Sequence, residues 1–313
     1  MPAEFLTMVF STAFLAASIS YATPFVLAAM GGVFSERSGV LNLALEGMML
    51  TGAFFAFIGS YFTGSPLLGI LSAVVACLVL GLIHAFSSVI LGANQVVTAV
   101  AINIFSLGIT NALFKALYGI SPEKVKVEGF SSMAIPLLNR IPVLGPALFN
   151  QNIFVYIALL LVPLTHLFFS KTKTGLNIRA CGEFPRAANT MGVPVIRVRF
   201  WSVVYSSLVA GIAGASLSIA GINMFIENMS SGRGYIAFAC IILGKYNPAG
   251  AAMAALLFGM TEGIQLRIQA TGVPVPYQLP LMFPYVLTIL ILLVVGSKFS
   301  PQSWGVPFFD DED

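Results

Sequence analysis

Long apolar runs separated by short polar punctuation make up most of this chain. Residues 5–35 carry no charge. A helix that crosses the hydrocarbon core of a bilayer needs about 20 apolar residues, so this run predicts one long or tilted helix. Residues 47–114 also carry no formal charge, and His84 is the one imidazole among them. That run is too long for one span. The turn signals Thr63-Gly64-Ser65-Pro66 and Gly92-Ala93-Asn94-Gln95 divide it, predicting helices over 40–62, 66–91 and 95–118. A polar stretch over 119–145 precedes a predicted helix over 148–169, and a further one covers 200–220. The apolar runs 235–244 and 249–264 read as too short to span, and a last helix is predicted over 279–297. The runs are continuous and rich in Ala, Leu, Gly and Ile, unlike the alternating ten-residue segments of a membrane barrel. The expectation is an all-α, polytopic helical membrane protein with about 8–10 transmembrane helices, broken or re-entrant segments included, forming a single transmembrane domain over 1–313.

Composition sharpens this picture. The 313 residues are 58% hydrophobic and only 9% charged, against roughly 25% charged in an ordinary soluble domain. Mean hydropathy is +0.94. So few charges cannot clothe a soluble globule of this size, which excludes a soluble enzyme, a nucleic-acid binder and a disordered chain. The start, Met1-Pro2-Ala3-Glu4, lacks the positive flank of a cleaved signal peptide, so the first apolar run is expected to remain as a helix. Cys77, Cys181 and Cys240 are widely spaced and suggest neither a disulfide framework nor a metal site. Six of the fifteen basic residues (Lys171, Lys173, Arg179, Arg186, Arg197 and Arg199) lie within 171–199. That bias places the loop in the cytoplasm and the 119–145 stretch outside.

Four segments carry candidate chemistry. In ERSGVLNLALEGMML, Glu36-Arg37-Ser38-Gly39 interrupts two apolar runs, and Glu46 follows close behind. An acid there is costly, about 2.5–3.5 kcal/mol on insertion scales, and needs a partner or water. Either Asn42 and Glu46 line a path at a discontinuous helix, or Glu46 satisfies backbone groups or pairs with Arg37 at the membrane edge. In GANQVVTAVAIN, Asn94, Gln95, Thr98 and Asn103 offer uncharged donors and acceptors. They suit either a path for a neutral solute or interhelical hydrogen bonding. In MSSGRGYIAFACIILGKYNPAG, Ser231, Arg233 and Gly234 open a short apolar run and Pro248 follows its end. Together with Gly39 these are the expected broken-helix or gating positions. In KTKTGLNIRACGEFPRAANTMGV, Pro185 can start a short helix and Gly192 can end it, a suitable knob for a partner's groove. No paired acids, His cluster or nucleophile with its base suggests a catalytic site.

Taken in this order, the four segments resemble the permeases of bacterial ABC importers in the simple-sugar, nucleoside and branched-chain amino-acid group. The resemblance covers roughly residues 20–295. SERSGV…LEGMML with SSGRGYIA is most similar to the nucleoside-type permeases that work with binding proteins of the basic membrane lipoprotein class. Some such systems are associated with riboflavin instead. The resemblance implies a multi-pass protein of the bacterial cytoplasmic (inner) membrane. It implies an ATP-binding partner subunit that uses ATP and magnesium, a second permease subunit, paralogous or identical, and an external substrate-binding lipoprotein, with no cofactor in this chain. It further implies that Gly182, Glu183, Pro185, Arg186, Ala187, Ala188 and Gly192 form the ATPase-coupling element. The expected cargo is a purine nucleoside, with riboflavin or a simple sugar as alternatives. An ion-coupled secondary transporter is the alternative of a different class; it predicts uptake that collapses with the ion gradient while ATP is held constant.

Overall fold

A computed structural model describes residues 11–119, 125–134, 144–270 and 300–309, with Gln278, Met282, Val286, Ile289 and Leu293 between the last two stretches. Helix α1 (Thr12–Arg37) starts where the Ser11 hydroxyl accepts from the Phe14 amide. After a non-helical interval, α2 runs Leu45–Thr63 and stops at Gly64, which takes the left-handed conformation, φ 66°. Helix α3 (Pro66–Ala85) has proline in its first turn, where a missing N–H costs nothing, and continues as a π-helical turn over Phe86–Ile90. Helix α4 (Gln95–Tyr118) is capped by Asn94, whose side chain accepts from Val96 and Val97. A two-residue antiparallel pairing joins β1 (Met133–Ala134) to β2 (Asn150–Gln151), with the single turn α5 (Leu144–Leu148) between them. Then come α6 (Ile153–Lys171), α7 (Lys173–Glu183), α8 (Pro185–Thr190) and α9 (Val195–Ser216), which continues as a π-helix over Leu217–Ile222. Helices α10 (Arg233–Leu243) and α11 (Pro248–Ala270) follow.

Among the described residues, seven helices (α1, α2, α3, α4, α6, α9 and α11) are long and apolar enough to cross a membrane, and α10 is a shorter apolar helix. The protein is a polytopic helical membrane protein. Burial divides the spans into two sets. The most apolar windows of α9, α2 and α1 are 72%, 67% and 61% buried, whereas those of α3, α4 and α6 are 28% buried. The first three therefore form the inner bundle, and the others turn one face outward. Small residues bring the inner helices together: a Cβ on Gly52 would lie 2.5 Å from the Gly211 carbonyl oxygen, and one on Gly214 2.0 Å from that of Met49. Without a hydrophobic driving force between helices in lipid, such close approach is what supplies packing energy.

The polar stretch after α4 folds back on the bundle. The Val127 amide donates to the Asn223 carbonyl and the Phe130 amide to that of Ile219, both 2.9 Å. This end of α9 lies opposite the basic 171–199 segment.

Several boundaries differ from the sequence expectation. The predicted helix over 40–62 begins only at Leu45, because residues 38–44 form the break. The helix predicted over 148–169 runs Ile153–Lys171, since Asn152 caps it. The helix predicted over 200–220 starts at Val195 and absorbs Arg197 and Arg199; Arg199 is buried and hydrogen-bonded there. The segment 249–264 is part of a 23-residue helix long enough to span. Its charges have partners: Glu262 pairs with Arg233, and Arg267 lies over the Phe14 ring. The predicted final helix, 279–297, lies mostly outside the described residues.

The close contact at Gly214 yields a stability test. Gly214→Ala is expected to lower the thermal stability of the purified protein in detergent by about 1–3 kcal/mol. Gly108→Ala, at a position with nothing within 4 Å of the added Cβ, leaves it unchanged.

Candidate functional site

The interval between α1 and α2 exposes backbone groups inside the bundle, and polar side chains from α1, α4 and the interval itself satisfy them. Gly39 turns the chain with φ +90°. The Glu36 carboxylate, fully buried, accepts from the Asn42 amide at 2.7 Å and from the Trp304 indole N–H. Gln95 Oε1 accepts from the Leu41 amide at 2.7 Å. Asn42 Oδ1 accepts from the Ala44 amide, and its Nδ2 donates to Ser206 Oγ at 3.0 Å. Asn103 Oδ1 accepts from the Gly47 amide at 2.8 Å, while its Nδ2 donates to the Leu43 carbonyl and the Tyr235 hydroxyl. Buried backbone groups are nearly always paired, and here uncharged amides do most of the pairing.

Glu46 serves the second break. Its carboxylate accepts from Ser230 Oγ (2.6 Å), the Gly232 amide (2.8 Å) and the Gly234 amide (2.7 Å). It thus caps the start of α10, where unpaired N–H groups and the helix dipole favour an anion. Gly234 has no room for a side chain: a Cβ would lie 2.4 Å from the Glu46 backbone. At the other end of α10, Arg37 Nε donates to the Tyr246 carbonyl at 2.6 Å. Burial raises the pKa of the Tyr246 phenol, and nearby Glu36 raises it further. The two breaks therefore meet: Arg37 and Glu46, on either side of the first, hold the two ends of α10.

Beside this junction lies a cavity of about 670 Å³, enclosed by α1, the start of α6, the π-helical end of α9, residues 226–233 and α11. Met229, Ser231 and Arg233 line it, while the alternate residues Ser230, Gly232 and Gly234 bind Glu46. The segment is a one-residue-thick wall, cavity on one face and carboxylate on the other. Arg233 donates to Glu262 at 2.5 Å and to the Met229 carbonyl at 3.0 Å. Both members of the ion pair line the cavity, with Tyr21, Asn152 and Asn228 as further polar contributors. Asn223, Asn228 and Ser231 hold left-handed conformations, φ 54°, 55° and 43°. Such strain, next to a π-helical segment, concentrates where backbone is shaped for a task.

Of the residues expected along a path, Asn42, Glu46, Gln95 and Asn103 converge on the breaks and are absent from the cavity lining. Asn94 caps α4, and the Thr98 hydroxyl donates to the Asn94 carbonyl. Of the expected broken-helix positions, Gly39 lies against the Arg199 and Ser303 side chains, Gly234 against the Glu46 backbone, Ser231 and Arg233 face the cavity, and Pro248 opens α11. Sequence reasoning missed Tyr21, Asn152 and Asn228. The Pro24 interruption in α1 and the Glu227-Asn228 pair after an apolar run were the available signals.

The basic segment is ordered. Pro185, Arg186, Ala187 and Ala188 lie on α8, and Gly192 ends that turn with φ +82°. Ala188 is buried with Cys181 and Val195, and Phe308 packs on them. Gly182 lies against the α1 terminus, where a Cβ would meet the Arg37 carbonyl oxygen at 2.2 Å. Glu183 Oε2 accepts from the Gln302 amide at 3.4 Å. Burial pushes the Cys181 thiol up to about 11 despite the Arg199 guanidinium, which acts to lower it. Phe184 and Met191 remain exposed on either side of α8.

Glu46 can be tested directly. Glu46→Gln replaces one accepting oxygen with an NH2 group facing N–H or O–H donors. It is expected to cost about 1–3 kcal/mol of stability and to impair transport, read by thermal unfolding in detergent and by uptake. Unchanged values in both assays would show that the clamp carries no load.

Comparison with known proteins completes the site. The family described as branched-chain amino acid transport system / permease component matches residues 14–295. The guanosine ABC transporter permease protein NupQ of Bacillus subtilis is 39% identical over 93% of this chain and 95% of its own length. The putative glucose ABC transporter permease protein TsgC13 of Haloferax volcanii is 34% identical over 96% of each chain. The nucleoside ABC transporter permease protein NupC of Lactococcus lactis is 32% identical over 92% of this chain and 94% of its own. No solved structure matches the chain. A polytopic bundle with two interlocked broken helices around a cavity, matched over nearly its whole length, belongs to this permease family and is the permease component of an ABC transporter.

Proposed function

We propose that this chain carries a neutral nucleoside through the bundle of a bacterial cytoplasmic membrane. An external binding lipoprotein delivers the solute, and a separate subunit, docked on α8, hydrolyses Mg-ATP; this chain needs no cofactor of its own. A second permease, paralogous or identical, completes the core. The observation that carries the reading is the thin wall over 229–234. A solute in the cavity contacts Ser231 and Arg233 and, through the alternate residues, bears on the Glu46 clamp. Solute binding and helix rearrangement are thereby connected, as alternating access requires.

The cavity chemistry suits the cargo. Arg233 and Glu262 neutralise each other, and Glu227, also in the lining, is paired with Lys115 at 3.5 Å, so a net charge gains little there, whereas a ring with paired donors and acceptors can replace the ion-pair contacts with its own. The relatives named for guanosine and nucleoside support this choice, and the relative named for glucose keeps a sugar as the second reading. A ribose and a hexose share the hydroxyl groups that Asn228 and Ser231 could bind. Exposed Phe184 and Met191 beside α8 support the docking role of Pro185, Arg186 and Ala187, with Gly182, Glu183, Ala188 and Gly192 shaping the loop.

Uptake of labelled guanosine by native cells with and without the gene tests the cargo. Loss of uptake in the deletion, with competition by unlabelled guanosine and none by excess glucose or riboflavin, is expected. Competition by glucose alone would favour the sugar reading. Collapse of uptake with the proton or sodium gradient at constant ATP would overturn the ABC mechanism for this chain. Glu262→Gln is expected to reduce uptake about tenfold, through loss of a charge-assisted contact worth about 1.5–3 kcal/mol. Arg186→Glu is expected to abolish uptake while leaving the chain in the membrane; normal uptake in that variant would remove α8 from the docking role.

A further inference from the structure

Residues 301–309 follow the last apolar run and lie as a strap across the end of the bundle that carries α8. The strap is held at both of its working surfaces. Toward the basic segment, the Ser303 amide and hydroxyl both donate to the Gly182 carbonyl, at 3.0 and 2.6 Å. Arg199, buried in α9, donates to the Val306 carbonyl at 2.8 Å, to Ser303 Oγ at 2.9 Å and to the Cys181 carbonyl at 3.0 Å. Phe308 packs on the cluster that contains Ala188 of α8. Toward the breaks, the Gly305 amide donates to the Gly39 carbonyl at 2.9 Å, and the Trp304 indole N–H donates to the Glu36 carboxylate. The Trp304 ring stacks on Phe238 of α10, centroids 6.3 Å apart and 14° between planes, and meets Tyr246 edge-on at 5.9 Å.

These contacts make one continuous chain of packed groups: Ala188 to Phe308, Trp304 to Phe238 and Tyr246, and α10 to Arg233 at the cavity. Among the described residues, a guanidinium and a carboxylate, both buried, take partners from this strap, two of the three hydrogen bonds of Arg199 and one of the two of Glu36, and are expensive to expose. The strap therefore cannot be displaced from one surface without disturbing the other. We propose that residues 301–309 are the link through which movement of α8 is transmitted to the two broken helices, with Trp304 as the positioning residue that joins them. The inference rests on the reading that α8 is where the ATP-hydrolysing subunit docks. Spatial continuity alone does not establish coupling, so the test must read coupling itself.

The complex purified from native membranes with its co-purifying subunits, reconstituted in liposomes, gives both ATP hydrolysis and labelled guanosine uptake. Trp304→Ala is expected to retain the ATP-hydrolysing subunit at the unsubstituted ratio, to hydrolyse ATP at a comparable rate, and to move about tenfold less solute per ATP. Trp304→Phe, which keeps a ring against Phe238 and Tyr246, is expected to restore most of that ratio. An unchanged ratio in Trp304→Ala overturns the proposal, and so does loss of the ATP-hydrolysing subunit from that variant alone, which would make the strap part of the dock. Absence of any such subunit from the unsubstituted complex overturns the docking reading and the inference with it. A second measurement avoids substitution in the strap. The chain has two tryptophans, and Trp201 is exposed, so Trp201→Phe leaves Trp304 as this chain's reporter, read as the difference from the same complex carrying Trp304→Phe as well. Its emission is expected to change when ATP is added to the complex; constant emission through turnover overturns the proposal.

Discussion

A break in a helix within a membrane protein leaves N–H and C=O groups that lipid cannot satisfy, and the arrangement of this bundle follows from how those groups are answered. The 38–47 interval is answered by Glu36, Asn42, Gln95 and Asn103, and the start of α10 by Glu46. Gln95, Asn103 and Glu46 come from a different helix than the groups they serve, so their hydrogen bonds also fix one helix against another, while Glu36 and Asn42 Oδ1 hold the turn between α1 and α2 locally. Small residues recur on the inner helices α1, α2 and α9, which pack beside this interlock. Gly52, Gly211 and Gly214 let backbones come close enough for short polar side chains to reach. Polar residues in the bundle are thus first a consequence of discontinuity.

The cavity inherits its character from the same junction. The chain leaves the π-helical end of α9 through left-handed steps at Asn223, Asn228 and Ser231, and residues 229–234 then present alternate residues to the cavity and to Glu46. One side receives the Glu46 carboxylate, and the other carries the Arg233–Glu262 pair. A wall of this kind cannot be deformed by a solute without altering the hydrogen bonds behind it. The strap over 301–309 meets α10 at its far end, so the short helix is gripped between cavity and strap.

Much of the fold could be read from local pattern. Continuous apolar runs and the Gly-Ser-Pro and Gly-Ala-Asn turns placed α3 and α4 within a residue or two, because Pro66 and Asn94 act on the backbone next to them. The break at Gly39, the short helix at Pro185 and the short apolar helix at Arg233 were legible for the same reason. What failed was non-local. Helix α11 read as short because its apolar run, 249–264, stops before Arg267, whose partners Phe14 and Ser11 lie far away in sequence. Asn42 and Asn103 were visible as polar residues in apolar surroundings, yet nothing local distinguishes a side chain that faces a path from one that caps a backbone. Ser303, Trp304 and Phe308 lie in a Pro- and Gly-containing stretch without periodicity, and their contacts with Gly182, Glu36 and Ala188 cross more than a hundred residues.

The saturation of Glu46 has a bearing on the energy economy of the membrane itself. A carrier that sits idle for most of its life must not leak ions down the transmembrane voltage, which drives each elementary charge with about 2.3 kcal/mol per 100 mV. A carboxylate beside a water-accessible cavity invites cations. Here the oxygens of Glu46 are already occupied by a hydroxyl and two amides, and the carboxylates that do line the cavity, Glu262 and Glu227, are paired with Arg233 and Lys115. The clamp that holds the broken helices together thus also keeps an uncompensated negative charge from facing the cavity.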